Sequence, residues 1–319
     1  MRTLLISLLM VVANSFGTDA RSQELKERII RFVNPFAAAG TTDIIARTIA
    51  DQITQKSAQR TMVESKPGGG STIGTAHVAG AAPDGATVLI TSNSFSINAV
   101  MRKDLLYDTA ALEPICMIVE SPQVLVVNAS SPFKTLKDLV DAAKAQPGKL
   151  SYASSGPGSS QHIAGEVFKM AAGIDLIYAP FPGGAPAITA LLGDHVTSVF
   201  TNYAELKPHI DAGKLRPLAV ATHQRVAFLP NLANFVEQGY PVEASVFFGF
   251  LAPPRTSARI VGALEEMITG ALSAPDVRAR LTSLGLVIEQ RCGTRFRTYL
   301  ESQREEYTLV IKTANIKAP

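Results

Sequence analysis

Short runs rich in β-branched and aromatic residues alternate along this chain with longer stretches in which apolar positions recur every three or four residues. The runs near 29–33, 87–91, 124–127, 150–153, 196–200 and 216–221 read as strands, and the stretches between them as helices. Such alternation predicts βαβ units and largely parallel sheets. Two extended apolar stretches, 115–127 and 244–253, are longer than the rest and suit strands that cross between two lobes. From 257 to 312 the pattern is almost all helical, with one helix starting at Pro275 and another over 296–311. No internal repeat and no low-complexity linker interrupts the order.

Four strand-to-helix loops stand out, because each is rich in Gly, Ser or Thr. The first is N-P-F-A-A-A-G-T-T-D (residues 34–43), where Thr41 or Thr42 can cap a helix whose buried stripe is Ile45, Ile49 and Ile53. The second is S-S-G-P-G-S-S-Q-H (154–162), with Ser159 or Ser160 as the cap and Ile163, Val167 and Met170 as the stripe. In the third, F-P-G-G-A-P (181–186), Pro186 suits a first helical position. The fourth, K-P-G-G-G-S-T (66–72), leads into Ile73 and Val78. A helix N-terminus offers unpaired N–H groups and a partial positive charge, so it attracts carboxylates and phosphates. In parallel sheets, ligands bind beyond the carboxyl ends of the strands, where all four loops fall.

Composition narrows the class. At 46% hydrophobic and 18% charged, 319 residues can bury a sizeable core and fill two lobes. The net charge is +3, but Lys and Arg are scattered among acids, so nucleic-acid binding is not expected. Residues 1–20 read as a secretory signal, with Arg2 as the charged end and 4–13 as an apolar core too short to span a bilayer. The mature protein is therefore expected to be exported, and with its first cysteine at 116 it is not expected to be a lipoprotein. The two cysteines, Cys116 and Cys292, suit either one disulfide or two buried thiols.

Catalytic motifs are missing. Neither G-x-S-x-G nor H-E-x-x-H occurs, and K-P-G-G-G-S-T has its Lys on the wrong side of the glycines for a phosphate-binding P-loop. The five histidines, at 77, 162, 195, 209 and 223, are dispersed and lack metal-ligand spacing. Ser159 and His162 are near neighbours, but a capping serine is occupied by backbone N–H groups. No metal, cofactor or catalytic residue is expected.

The motifs N-P-F-A-A-A-G-T-T-D-I-I-A-R, E-S-K-P-G-G-G-S-T-I-G-T, A-A-P-D-G-A-T-V-L, S-Y-A-S-S-G-P-G-S-S-Q-H-I-A-G-E and A-G-K-L-R-P-L-A-V, in this order, resemble the Bug-type solute receptors of tripartite tricarboxylate transporters. The likeness runs from about residue 28 to the A-N-I-K-A at 314–318. It implies an α/β, two-lobed periplasmic-binding-protein-like (type II) fold with mainly parallel sheets and a cleft between lobes. Lobe one would be 21–121 plus 246–319, and lobe two 122–245. It also implies that the first two loops grip one carboxylate of a small organic ligand. Carried over, Phe36, Ala39, Gly40, Thr41 and Thr42 line one jaw, and Ser155, Gly158, Ser159 and Ser160 the other. Asp43 orients its loop, while Ser92, Asn93, Gly183, Gly184, Thr201 and Asn202 meet the rest of the ligand. The implied partners are the membrane subunits of a tripartite tricarboxylate-type transporter, or a sensor, acting with a monomer.

The chain departs from that family in places. It has Ala38-Ala39-Gly40-Thr41 where Pro-Gly-Gly-Pro or Ala-Gly-Gly-Pro is common, and Thr201 where Asp is frequent. Losing that Asp weakens the case for an amino-acid ligand, and Phe95 is expected to narrow the pocket. Two other functions fit an exported α/β protein. A hydrolase of small esters or amides would need a nucleophile within reach of a His, and a sensing receptor would need an apolar patch outside the cleft.

Overall fold

The computed structural model describes residues 28–313 and residue 316. The signal expected over residues 1–20 and most of the 314–318 motif lie outside them. The strands are β1 (Ile29–Asn34), β2 (Arg60–Ser65), β3 (Thr87–Ser92), β4 (Glu113–Asn128), β5 (Ser151–Ser154), β6 (Ile177–Pro180), β7 (Ser198–Asn202), β8 (Leu215–Val220), β9 (Ser245–Ala252) and β10 (Val287–Cys292). The α-helices are α1 (Thr41–Lys56), α2 (Thr72–Ala79), α3 (Ser94–Met101), α4 (Leu136–Ala145), α5 (Ser160–Ala172), α6 (Gly184–Leu192), α7 (Tyr203–Asp211), α8 (Ala258–Ser273), α9 (Pro275–Ser283) and α10 (Thr294–Thr313).

One strand organises the rest. β4 is buried at nearly every position, as expected of a strand covered on both faces. Its first part pairs antiparallel with β9 from Glu113 to Pro122, and its second with β7 from Gln123 to Val127. The sheet order is β2-β1-β3-β9-β4-β7-β5-β6, with β10 and β8 also paired to β4. Outer strands pair in parallel, β1 with β2 and β3 in one half and β5 with β6 and β7 in the other. The antiparallel pairs are those of the crossing strands and their neighbours.

Each half has its own core. In the first, Phe32, Ile45, Ile49, Phe250 and Ile268 pack between the sheet and helices α1 and α8. The second centres on Phe168, whose ring meets Phe235, Tyr240 and Phe200 edge-on at 5.2, 5.8 and 6.1 Å. Cys116 and Cys292 form a disulfide that ties β4 to β10, where the two residues are register partners.

The strands read from apolar runs are present, with boundaries shifted by a residue or two. β2, β6 and β10 had no such signal. They are partly exposed and carry sequences such as R-T-M-V-E-S and V-I-E-Q-R-C, which lack an apolar run. The helical tail therefore contains a strand, β10, between α9 and α10. Met170, expected in the buried stripe of α5, is 52% exposed, and Phe168 takes its place in the core.

Candidate functional site

The first loop is held by its own side chains. Asn34 at the end of β1 accepts the Phe36 N–H at 3.1 Å and donates to the Ser65 hydroxyl at 3.2 Å. Ala39 takes a left-handed φ of +65°, and the Asp43 carboxylate fastens it by accepting the Ala39 N–H at 3.1 Å. Arg47 one turn on donates to the same oxygen at 2.8 Å. Helix α1 then starts at Thr41 with Gly40 as its N-cap and no side-chain cap of its own. The expected Thr41 or Thr42 cap is thus corrected, because a carboxylate from the other half of the molecule does the work. Thr41 donates to Glu205 Oε1 through its N–H at 2.9 Å and through its hydroxyl at 2.7 Å.

On the opposite jaw, Ser159 is the N-cap of α5 and accepts the His162 N–H at 3.1 Å. Its hydroxyl also donates to Ser154 at 3.3 Å, and Ser155 donates to Gln161 Oε1 at 2.8 Å. Ser159→Ala should lower the unfolding free energy by about 1 kcal/mol, read by urea titration, because it strips a buried cap. Equal stability would mean that Ser154 and water replace it without loss.

The halves meet loop against loop. Ala37 donates its N–H to the Pro182 carbonyl at 3.1 Å. Gly70 lies at φ +63° so close to Pro157 that a Cβ built on it would sit 1.8 Å from the Pro157 carbonyl oxygen. Asn98, fully buried, donates to the Gly70 carbonyl at 2.7 Å and blocks any side chain at Gly158. Helix α6 begins at Gly184 after Gly183, so Pro186 is the third helical residue and not the first.

Between the jaws lies a chamber of about 20 Å³. Among the residues expected from the sequence, Phe36, Gly40, Thr41, Thr42, Ser92, Ser155, Gly184 and Asn202 line it. A mouth of about 160 Å³, sharing Phe36 and Ser155, opens between the fourth loop and residues 155–157 and 180–182. Ala39, Asp43, Gly158, Ser159, Gly183 and Thr201 belong to the loops and strand end that shape these walls. Asn93 and Ser160 line a different cavity, about 650 Å³, between α5 and α10. That cavity is larger, but the facing helix ends and the buried polar groups converge on the smaller chamber. Asn93 is occupied structurally, accepting the Phe247 N–H at 2.8 Å and donating to the Tyr307 hydroxyl at 2.5 Å. Phe95 packs in the core beside Val33, Val78 and Leu89 instead of narrowing the chamber.

Glu205, Val246 and Phe248 line the chamber without having been marked by the sequence. Glu205 is partly buried by accessible surface, yet its carboxyl is enclosed enough that burial pushes its pKa above the ordinary range. Hydrogen bonds from Thr41, Asn202 and Thr201 pull the other way. On the second jaw, burial lowers the His162 pKa from 6.5 to about 4. The ring stacks on Tyr178 with centroids 4.2 Å apart, and its Nδ1 has no partner among the described residues.

That shift has a sign in stability. Between pH 6.5 and about 4 the unfolded chain binds a proton on His162 that the folded chain refuses, so stability falls as the pH drops through that window. The loss should reach about 3 kcal/mol, and His162→Gln should flatten the acid limb of urea-unfolding data. An unchanged slope in the variant would assign that limb to other groups.

Two α/β lobes joined by crossing strands, with helix N-termini facing each other over a cleft, define a solute-binding protein of the periplasmic type. The profile of the tripartite tricarboxylate transporter family receptor matches residues 45–315, and the chain belongs to that family. Among solved structures it is similar to the periplasmic binding protein BugD, at 30% identity and a TM-score of 0.88, covering 91% of this chain and 99% of that one. Rpa4515 of R. palustris, with adipate, is 29% identical with a TM-score of 0.87 over 91% and 98% of the two chains. MatC of Rhodopseudomonas palustris, with bound malate, is 26% identical with a TM-score of 0.85 over 89% and 99%.

Proposed function

We propose that this protein captures a small organic acid between its two lobes in the periplasm and hands it to the membrane subunits of a tripartite tricarboxylate-type transporter. The observation that carries the proposal is the pairing of two helix N-termini, α1 and α5, on opposite sides of one chamber. Anions are the natural ligands of such ends. Adipate and malate in the related structures supply the same chemistry. We divide the lobes at 121/122 and 245/246, where β4 changes partners and β9 begins. Motion about those strands would open the cleft, and contacts with both jaws would favour closure. The export signal at residues 1–20 and a monomeric state are parts of the same proposal.

A hydrolytic role finds little support. The Ser159 hydroxyl is engaged by a backbone N–H and by Ser154, and the His162 Nδ1 has no hydrogen-bond partner among the described residues. The test is a thermal-shift screen of residues 21–319 against organic acids and their uncharged methyl esters. Ligand at 100 times its Kd should raise the stability by about 2.7 kcal/mol, and the matching ester should not. Equal shifts with acid and ester would overturn anion capture.

A further inference from the structure

We propose that Glu205 sets the charge of the ligand, so that the cleft takes an acid with a single carboxylate and a hydrogen-bond donor at its other end in preference to a dicarboxylate. The proposal rests on the receptor function above and specifies the ligand class of that same chamber.

Three helix starts meet at this one side chain. Its Oε1 accepts both the N–H and the hydroxyl of Thr41 at the start of α1. Its Oε2 lies against Gly184 at the start of α6, so closely that a Cβ there would stand 1.7 Å from it. Glu205 is itself in the first turn of α7. Each helix start contributes partial positive charge, which explains how an enclosed carboxylate is tolerated with no Lys or Arg against it among the described residues. Two donors at the start of α1, the Thr41 N–H and hydroxyl, are therefore already taken by the chain's own carboxylate.

What remains on this wall accepts hydrogen bonds. Asn202 is 3% exposed and lines the chamber, and its Oδ1 has no hydrogen-bond partner among the described residues. The Glu205 carboxylate beside it takes the Thr201 hydroxyl at 3.3 Å and a hydrogen bond from the Asn202 side chain. A hydroxyl, amide or ammonium group of the ligand would satisfy the Asn202 oxygen and stand beside the Glu205 charge. A second carboxylate beside Asn202 would face Glu205 as a like charge, with the wrong hydrogen-bonding sense for the Asn202 oxygen. The N-terminus of α5, beside Ser155 and Gln161, is left for the ligand's one carboxylate.

The experiment is calorimetric titration of the wild-type protein and of Glu205→Gln, which keeps the shape and removes the charge. The probes are the dicarboxylates from malonate to suberate, with malate, each beside its monoamide. Wild type should bind the best monoamide tenfold or more tightly than its parent diacid, and Glu205→Gln should cancel or reverse that ratio. A ratio within one variant is unaffected by a loss of folded protein, so a merely structural role would leave it unmoved. If wild type prefers the diacid, or the ratio is the same in both proteins, Glu205 does not set ligand charge while acid capture stands. If neither protein binds any acid or monoamide, the receptor function fails and this proposal with it.

Discussion

Gly70→Ala is expected to cost at least about 100-fold in affinity for any ligand that the cleft captures, while leaving both lobes folded. A Cβ at this position would lie 1.8 Å from the Pro157 carbonyl oxygen, a backbone atom of the facing loop. A flexible side chain could swing aside, but a backbone carbonyl yields only if the loops separate. Separation removes one jaw from the ligand, and with it about half of the contacts that make closure favourable. The control is Gly213→Ala. Gly213 has a similar φ of +68°, but nothing lies within 4 Å of the added Cβ. Both substitutions incur the same left-handed backbone strain, of roughly 1–2 kcal/mol, so both should lose a little stability. Only Gly70→Ala should lose binding, and equal binding by the two variants would mean that closure does not bring these loops together.

Phe168→Ala should reduce the unfolding free energy by about 4 kcal/mol, the middle of the range for a buried aromatic residue. Phe168 is fully buried and is the ring shared by Phe200, Phe235 and Tyr240. The cavity it would leave is walled by rings that are themselves locked. Phe200 and Phe235, stacked 5.6 Å apart at 13°, cannot both tilt into the space without losing each other. A loss near 1 kcal/mol would show that this core collapses freely. Because α5 carries both Phe168 and the second jaw, a loosened core should also weaken ligand capture.

Much of this architecture was legible because it is written locally. The strands with apolar runs, a serine cap at 159 or 160, the Pro275 helix start and the long crossing strands all follow from neighbours in sequence. The cap of α1 does not. It comes from Glu205, 164 residues away, whose side chain reads in sequence as an ordinary acid in the first turn of a helix. Thr201 illustrates the same limit. Its substitution for the frequent Asp weakened the case for an amino-acid ligand, yet Glu205 returns a carboxylate from a helical turn later and accepts the Thr201 hydroxyl. The cysteines were ambiguous for a similar reason, since only the pairing of β4 with β10 brings them together. Asn93 shows the opposite limit. Its place at a strand end suggested the ligand, but strand β9 and helix α10 pack over it and use its amide as a pin.

The claim at the centre of this account is that an organic acid is held between the loops of 36–43 and 154–161. Amide hydrogen exchange, with and without an acid found by the thermal screen, tests it most directly. The account predicts that protection rises in both segments together when the acid binds. Protection confined to one lobe, or gathered around the larger cavity between α5 and α10, would contradict it.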